Sequence, residues 1–309
     1  MIYTLTLNPA IDRELTVTEV QFDSVLSAVK SQVDFGGKGF NVSRLLKSMG
    51  MPSTALGFIG GRTGDRLQSG LQELDIATDF VVISGETRTN ISIVTEKHDH
   101  YIKVNEKGPL VDEIKQRELL DKIASLAGPG DWWVLAGSLP PSVPDSFYAQ
   151  IIAILNAHQA ISILDTTGES LRLGCEARPF LIKPNAEETH SLTGLPVETT
   201  AQNVIAAKEL LKMGAQNVVI SMGRKGALLQ TADESWLIHS PKIQEKNPIG
   251  AGDSMVGGLV WALSQGYSLK EALGWGAASG AATASMSGTE VGSRALIEEL
   301  SRQVEYEEL

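Results

Sequence analysis

Asp253 stands in "KNPIGAGDSMVGG", directly after Gly250, Ala251 and Gly252. Beyond it, Val256, Leu259, Val260 and Leu263 recur at helical spacing, so a helix starts near Asp253. A glycine turn that opens a helix aims backbone N–H groups at one point, and the helix dipole adds to their attraction for an anion. A carboxylate at that point competes with the anion. Two readings follow from the residues alone. One is an ordinary helix start with an aspartate N-cap. The other is an anion site with an acid deliberately placed at its mouth. The common phosphate loops are not present. "GGKGFNVS" at 36–43 approaches G-x-x-x-x-G-K-[ST], but Gly39 follows Lys38 and the earlier glycine is missing. G-x-G-x-x-G fails there at Val42 and fails in "GAGDSM" at Met255. His98, His100, His158, His190 and His239 form no metal-binding spacing, and Cys175, the single cysteine, reads as a buried thiol.

The elements that must position these residues follow one rhythm of strand, glycine turn and helix. "STALGFIGGRTGD" gives a strand at 54–59, a turn at Gly60 and Gly61, and a helical period from Asp65. "DWWVLAGSLPP", "AISILDTTG" and "PFLIKPN" repeat the strand-and-turn form, and "AQNVVISMGRKGALLQ" is a strand, a turn and a strand. "VPDSFYAQIIAILNAH", "TAQNVIAAKELLKMG" and "SLKEALGWGAASGAATAS" are helical between them. Alternating strands and helices predict an α/β fold, a doubly wound, mostly parallel sheet with both faces covered. Ligands in such sheets bind beyond the carboxyl ends of the strands, where these turns gather. Residues 12–35 alternate without a helical period, and 88–104 read as a hairpin turning near Asp99. Together they predict a small β-lid, 12–35 and 87–108, on a core made of 1–11, 36–86 and 109–309.

Composition narrows the function class. The 309 residues are 42% hydrophobic and 20% charged, which suits a globular protein with a large core. A net charge of −11 disfavours nucleic acid, whose backbone demands basic patches. No apolar run approaches the roughly 20 residues of a membrane span. The opening "MIYTLTLNPAID" is a buried strand rather than a signal peptide, so a cytoplasmic location is expected.

The ordered set "LTLNPAID" (5–12), "FGGKGFNVSRLLKSMG" with "GFIGGRTGD", "TRTNI" (87–91), "AGSLPP" (136–141), "KPNAEE" (183–188), "SMGRKGAL" (221–228) and "NPIGAGDS" resembles the PfkB, or ribokinase-like, carbohydrate kinases over essentially the whole chain. "TLNPAID" and "GGKG" are most similar to the phosphosugar subgroup, the 1-phosphofructokinases and tagatose-6-phosphate kinases. The resemblance implies a ribokinase-like fold with a β-lid, and a homodimer through that lid. It implies ATP and Mg²⁺ as cofactors and a small sugar phosphate as acceptor, fructose 1-phosphate first. Tagatose 6-phosphate or another sugar is the alternative.

The same resemblance assigns roles. Asp253 is the general base that takes the proton of the attacking sugar hydroxyl. Gly250, Ala251 and Gly252 hold the phosphoryl group in transfer. Lys183 and Asn185 face the ATP phosphates, and Glu188 with Asn185 holds Mg²⁺ through water. Ser221, Gly223 and Gly226 belong to the nucleotide side, with Ser279 and Gly280 beside the adenine. Asp12, Gly36, Gly37, Lys38, Asn41, Asn90 and Ser138 contact the sugar, and Lys38, Arg88 and Lys103 the substrate phosphate. One stretch departs from the pattern. Where the subgroup places polar residues in its first lid strand, this chain has Leu26 and Ser27, with Lys30 the nearest cation. A non-catalytic sugar-phosphate sensor and a nicotinamide oxidoreductase are the competing classes. The first is opposed by the retained Asp253 and Glu188, the second by the missing fingerprint.

Overall fold

The computed structural model describes residues 1–96, 100–288 and 290–309. The proposed hairpin tip at Asp99, with His98, lies outside these residues.

The chain opens with β1 (Ile2–Thr6), β2 (Ala10–Val17) and β3 (Lys30–Gly36), then α1 (Lys38–Ser48), β4 (Thr54–Gly60) and α2 (Gly61–Glu73). The short β5 (Ala77–Thr78) and β6 (Val81–Ile83) precede β7 (Arg88–Thr95) and β8 (Tyr101–Val104). Then come α3 (Glu113–Leu126), β9 (Trp132–Ala136), α4 (Phe147–Ala157), β10 (Ile161–Asp165), α5 (Gly168–Glu176) and β11 (Leu181–Ile182). After α6 (Ala186–Thr193) and α7 (Thr200–Lys212) follow β12 (Val218–Ser221), β13 (Ala227–Gln230) and β14 (Ser235–His239). The chain closes with α8 (Ala251–Ser264), α9 (Leu269–Ala284), α10 (Arg294–Ser301) and β15 (Glu305–Glu308).

The main sheet runs β15-β14-β13-β12-β11-β10-β9-β1-β4-β5, with β6 also paired to β4. From β12 to β5 the pairing is parallel, and β13 to β15 are antiparallel. Its central strands are buried on both faces, as the apolar "IYTLT" and "WWVLA" require. Alternation then divides the core. Trp133 and Leu135 pack with α3 and α4 residues such as Ile123 and Ile151. Val134 and Ala136 point the other way, to Leu259 of α8 and Ala278 of α9. This is the doubly wound arrangement expected from the strand-and-helix rhythm.

The second sheet, β3-β2-β7-β8, stands apart from the first. β2 and β7 are parallel, so Asp12 lies opposite Asn90 on one side and Asp34 of β3 on the other. Ile11, Phe35 and Val33 seat this sheet on Phe40 of α1 and on Leu67 and Leu71 of α2. The stretch with Leu26 and Ser27 is irregular, and its strand begins only at Lys30.

Candidate active site

Asp253 is not an N-cap. The cap is Gly250, whose backbone is left-handed at φ 78°, and α8 begins two residues before Asp253. Space does not demand glycine there, since a Cβ would meet nothing within 4 Å; the backbone conformation does. Ala251 N donates to Pro248 O at 3.2 Å and Ser254 N to Gly250 O at 2.8 Å. The amides of Gly250, Gly252 and Asp253 meet no acceptor among the described residues. The free amides thus differ from the expected set: Asp253's own amide is among them, and Ala251's is engaged.

The Asp253 carboxylate is buried and accepts a 2.8 Å hydrogen bond from Asn41 Nδ2. Asn41 comes from the first turn of α1, which "GGKG" brings against β1. Gly39 N donates to Thr6 Oγ1 at 3.1 Å, and a Cβ on Gly39 would sit 2.8 Å from that oxygen. Asn41, given to the sugar by the resemblance, has its side-chain amide on Asp253 here. Burial pushes the Asp253 carboxyl up to about 6 and the charge of Asp165 pushes the same way, against the Asn41 hydrogen bond, Lys38 and Lys183. A base poised near neutrality is what proton abstraction from a hydroxyl needs.

Asp165, at the end of β10, was not singled out from the sequence. It is buried and takes Lys38 Nζ at 3.0 Å on one oxygen and Lys183 Nζ at 3.3 Å on the other. Burial opposes its charge, but Lys183 and Lys38 outweigh that and hold its carboxyl below the usual range. Two cations are thereby fixed beside Asp253. Lys38, expected to share a substrate phosphate with Arg88, has its ammonium paired with Asp165 here. Arg88 instead donates to Asn8 O and Glu106 O, both at 2.9 Å, where the small sheet joins the core. Lys103 is exposed on β8 opposite Ser92, with no side-chain partner among the described residues.

A cleft of about 830 Å³ lies beside the Gly250 turn. Asn185, Ser221, Gly223, Ala251, Gly252 and Gly280 line it. Ser279 and Gly226 do not. Ser279 is fully buried against Gly258 of α8, where a Cβ would be 2.2 Å from its Oγ. Gly226 presses on β14, its Cβ position 1.9 Å from Ile238 O. Asn185 and Glu188 form a reciprocal capping box at the start of α6, each accepting the other's amide at 2.8 Å. Asn185 Oδ1 is therefore committed to the cap, while Glu188 keeps one carboxylate oxygen free.

On the opposite side, Asn90 Nδ2 donates to Asp12 Oδ1 at 2.7 Å, and Gly36 leaves room for the other oxygen of Asp12. Gly37 caps α1 without a side chain, and Ser138 borders a smaller cleft with Thr166 and Thr167. The second glycine turn, at Gly60 and Gly61, holds a protein carboxylate: Glu86 accepts from Thr63 N at 2.6 Å in the first turn of α2. Among the described residues no group of three His, Cys, Asp or Glu is arranged as a metal site, and no helix is long and apolar enough to cross a membrane.

The pattern that defines the pfkB family carbohydrate kinases matches residues 5–295. A 1-phosphofructokinase of Borreliella burgdorferi is 37% identical, over 92% of this chain and 92% of its own. A D-tagatose-1-phosphate kinase of Bacillus licheniformis is 35% identical over the same shares. Phosphofructokinase-2 from Escherichia coli, solved in complex with potassium, matches with a TM-score of 0.92 at 29% identity, over 97% of this chain and 98% of that one. That protein has also been solved in a tetrameric inhibited form. This chain therefore belongs to the pfkB family of carbohydrate kinases.

Proposed function

We propose that this chain transfers the γ-phosphoryl group of ATP to the C6 hydroxyl of fructose 1-phosphate, giving fructose 1,6-bisphosphate and ADP. The observation that carries the reading is the buried Asp253 carboxylate beside the unengaged amides of its own helix turn. Asp253 takes the hydroxyl proton as the oxygen bonds to the γ-phosphorus and the bond to ADP breaks. The amides of Gly250, Gly252 and Asp253 receive the charge on the phosphoryl oxygens, and Lys38 and Lys183 stand alongside. Two named relatives act on sugars phosphorylated at carbon 1, which favours a 1-phosphate acceptor and makes a tagatose phosphate the runner-up.

Mg²⁺ fits this donor set as a hydrated ion. Glu188 offers one free oxygen, and no protein cage surrounds it among the described residues. When bound with ATP, the ion neutralises charge on the β- and γ-phosphates. Asp12 and Asn90, both within the lid of 12–35 and 87–108, present a joined pair of hydrogen-bonding groups to sugar hydroxyls. Val25 is 99% exposed and Tyr101 74%, with Phe22 and Val104 also exposed, so the lid supports a homodimer contact in a cytoplasmic protein.

An ADP-release assay over fructose 1-phosphate, tagatose 1-phosphate, tagatose 6-phosphate, fructose 6-phosphate and fructose tests the reading. Fructose 1-phosphate is expected to give the highest kcat/KM. Activity confined to the unphosphorylated sugar would overturn it. Light scattering coupled to gel filtration tests the dimer.

A further inference from the structure

The 830 Å³ cleft carries a charged fork on its lining. Arg224 belongs to the tight turn Gly223–Lys225 between β12 and β13, and Glu245 to the irregular segment that leads from β14 into α8. Arg224 Nε donates to Glu245 Oε2 at 2.8 Å, and Nη2 donates to Oε1 at 3.1 Å. This two-point geometry fixes the plane of the guanidinium, which a single contact does not. Glu245 is the more sheltered partner, at 23% exposure against 82% for Arg224. The fork joins two separate segments that both line the cleft.

Another part of the lining comes from α9. Ala277, Gly280, Ala281 and Ala284 present one small-residue stripe at helical spacing, with Met255 of α8 beside it. These side chains offer an apolar surface and nothing that reads the edge of a base by hydrogen bonding. A purine lying on such a surface exposes its other π-face. Among the described residues Arg224 is the one planar cation on this lining, the other cation being Lys242. Guanidinium planes stack on aromatic faces, and a plane already fixed loses little freedom in doing so.

We propose that Arg224, held flat by Glu245, forms the second face of the nucleotide-base site and sets affinity for ATP without touching the reacting atoms. The inference rests on the ATP-dependent reading above. Arg224 is a positioning residue here, and Glu245 acts through it.

The test is displacement of a fluorescent methylanthraniloyl-ATP from the full-length protein, together with steady-state kinetics. Arg224→Ala is expected to weaken ATP roughly 3- to 10-fold and raise its KM alike, with kcat unchanged. Arg224→Lys recovers little of this, because it restores charge but no plane. Glu245→Ala weakens ATP in the same direction by about 2-fold, through loss of preorganisation. Inorganic tripolyphosphate, which lacks a base, is expected to bind wild type and Arg224→Ala equally. ATP affinity of Arg224→Ala within 2-fold of wild type overturns the proposal. So does tighter ATP binding by Glu245→Ala, full rescue by lysine, or a matching loss of tripolyphosphate affinity. If wild type itself fails to bind ATP while remaining folded, the kinase reading falls first.

Discussion

Replacing Asp253 by asparagine is expected to stabilise this protein while removing its turnover. The carboxyl is lifted from an ordinary value of 3.8 to about 6, chiefly by burial. Each pKa step corresponds to about 1.36 kcal/mol, so carrying the charge at neutral pH costs the fold about 3 kcal/mol. The sign follows from proton binding. Between about pH 4 and 6 the folded carboxyl holds a proton that the unfolded one has lost, so stability falls as pH rises through that window and is level above it. Asparagine carries no charge at any pH and still offers an oxygen to Asn41 Nδ2. Urea unfolding of both proteins at about pH 7.5 is therefore expected to favour the variant by about 3 kcal/mol, with the gap closing toward about pH 4. Turnover is expected to drop by about 10²- to 10⁴-fold with little change in ATP affinity. Equal stability at neutral pH would refute the desolvated charge. A modest rate loss with a large loss of ATP binding would refute the role as base.

Asn41→Ala deletes a hydrogen bond to the Asp253 carboxylate worth about 1 kcal/mol, so the acid limb of kcat/KM is expected to move up by about 0.7 pH units. At about pH 6 that is roughly a threefold loss, vanishing above about pH 8, and a limb that stays in place tells against the Asn41–Asp253 coupling. Asp165→Asn strips the buried Lys183 of its counter-charge; urea unfolding is expected to show a loss of about 3–5 kcal/mol. The same variant is expected to raise the KM for ATP. Arg88→Ala is expected to raise the KM for the sugar more than that for ATP, by loosening the junction of the small sheet with the core; steady-state kinetics with each substrate varied in turn checks this.

Much of the fold was legible in the sequence because the strand-and-helix rhythm is strong. Runs such as "WWVLA" can be satisfied only by a sheet covered on both faces. The small sheet announced itself by breaking the helical period. The glycine turn at 250–252 was legible too, but its register was not. Asp after glycine looks like an N-cap, and only the left-handed backbone of Gly250 shows that the helix has already begun. Asp165 stayed hidden for a different reason. It ends an apolar strand as several polar residues do, and its lysines lie 127 and 18 positions away in sequence. Nothing local marks a carboxylate whose two partners are brought by two other segments. Ser279 and Gly226 are packed away from this cleft, and a stripe of small residues or a lone glycine serves close packing as readily as ligand approach. The direction in which such a residue faces depends on helix rotation and strand register, which spacing alone does not set.

The outermost strand of the large sheet, β15, is "EYEE", and all four residues are exposed. A row of carboxylates along an open border repels any further strand, including the same strand of another copy. At the far border β5 and β6 are only two and three residues long, too short to template an addition. The large sheet is thus closed to growth at both ends. The free borders of the small sheet, β3 and β8, carry less of this protection, and Tyr101 and Val104 on β8 are apolar and exposed. Strand pairing between copies is therefore opposed along both borders of the large sheet and least opposed along β8 of the small one.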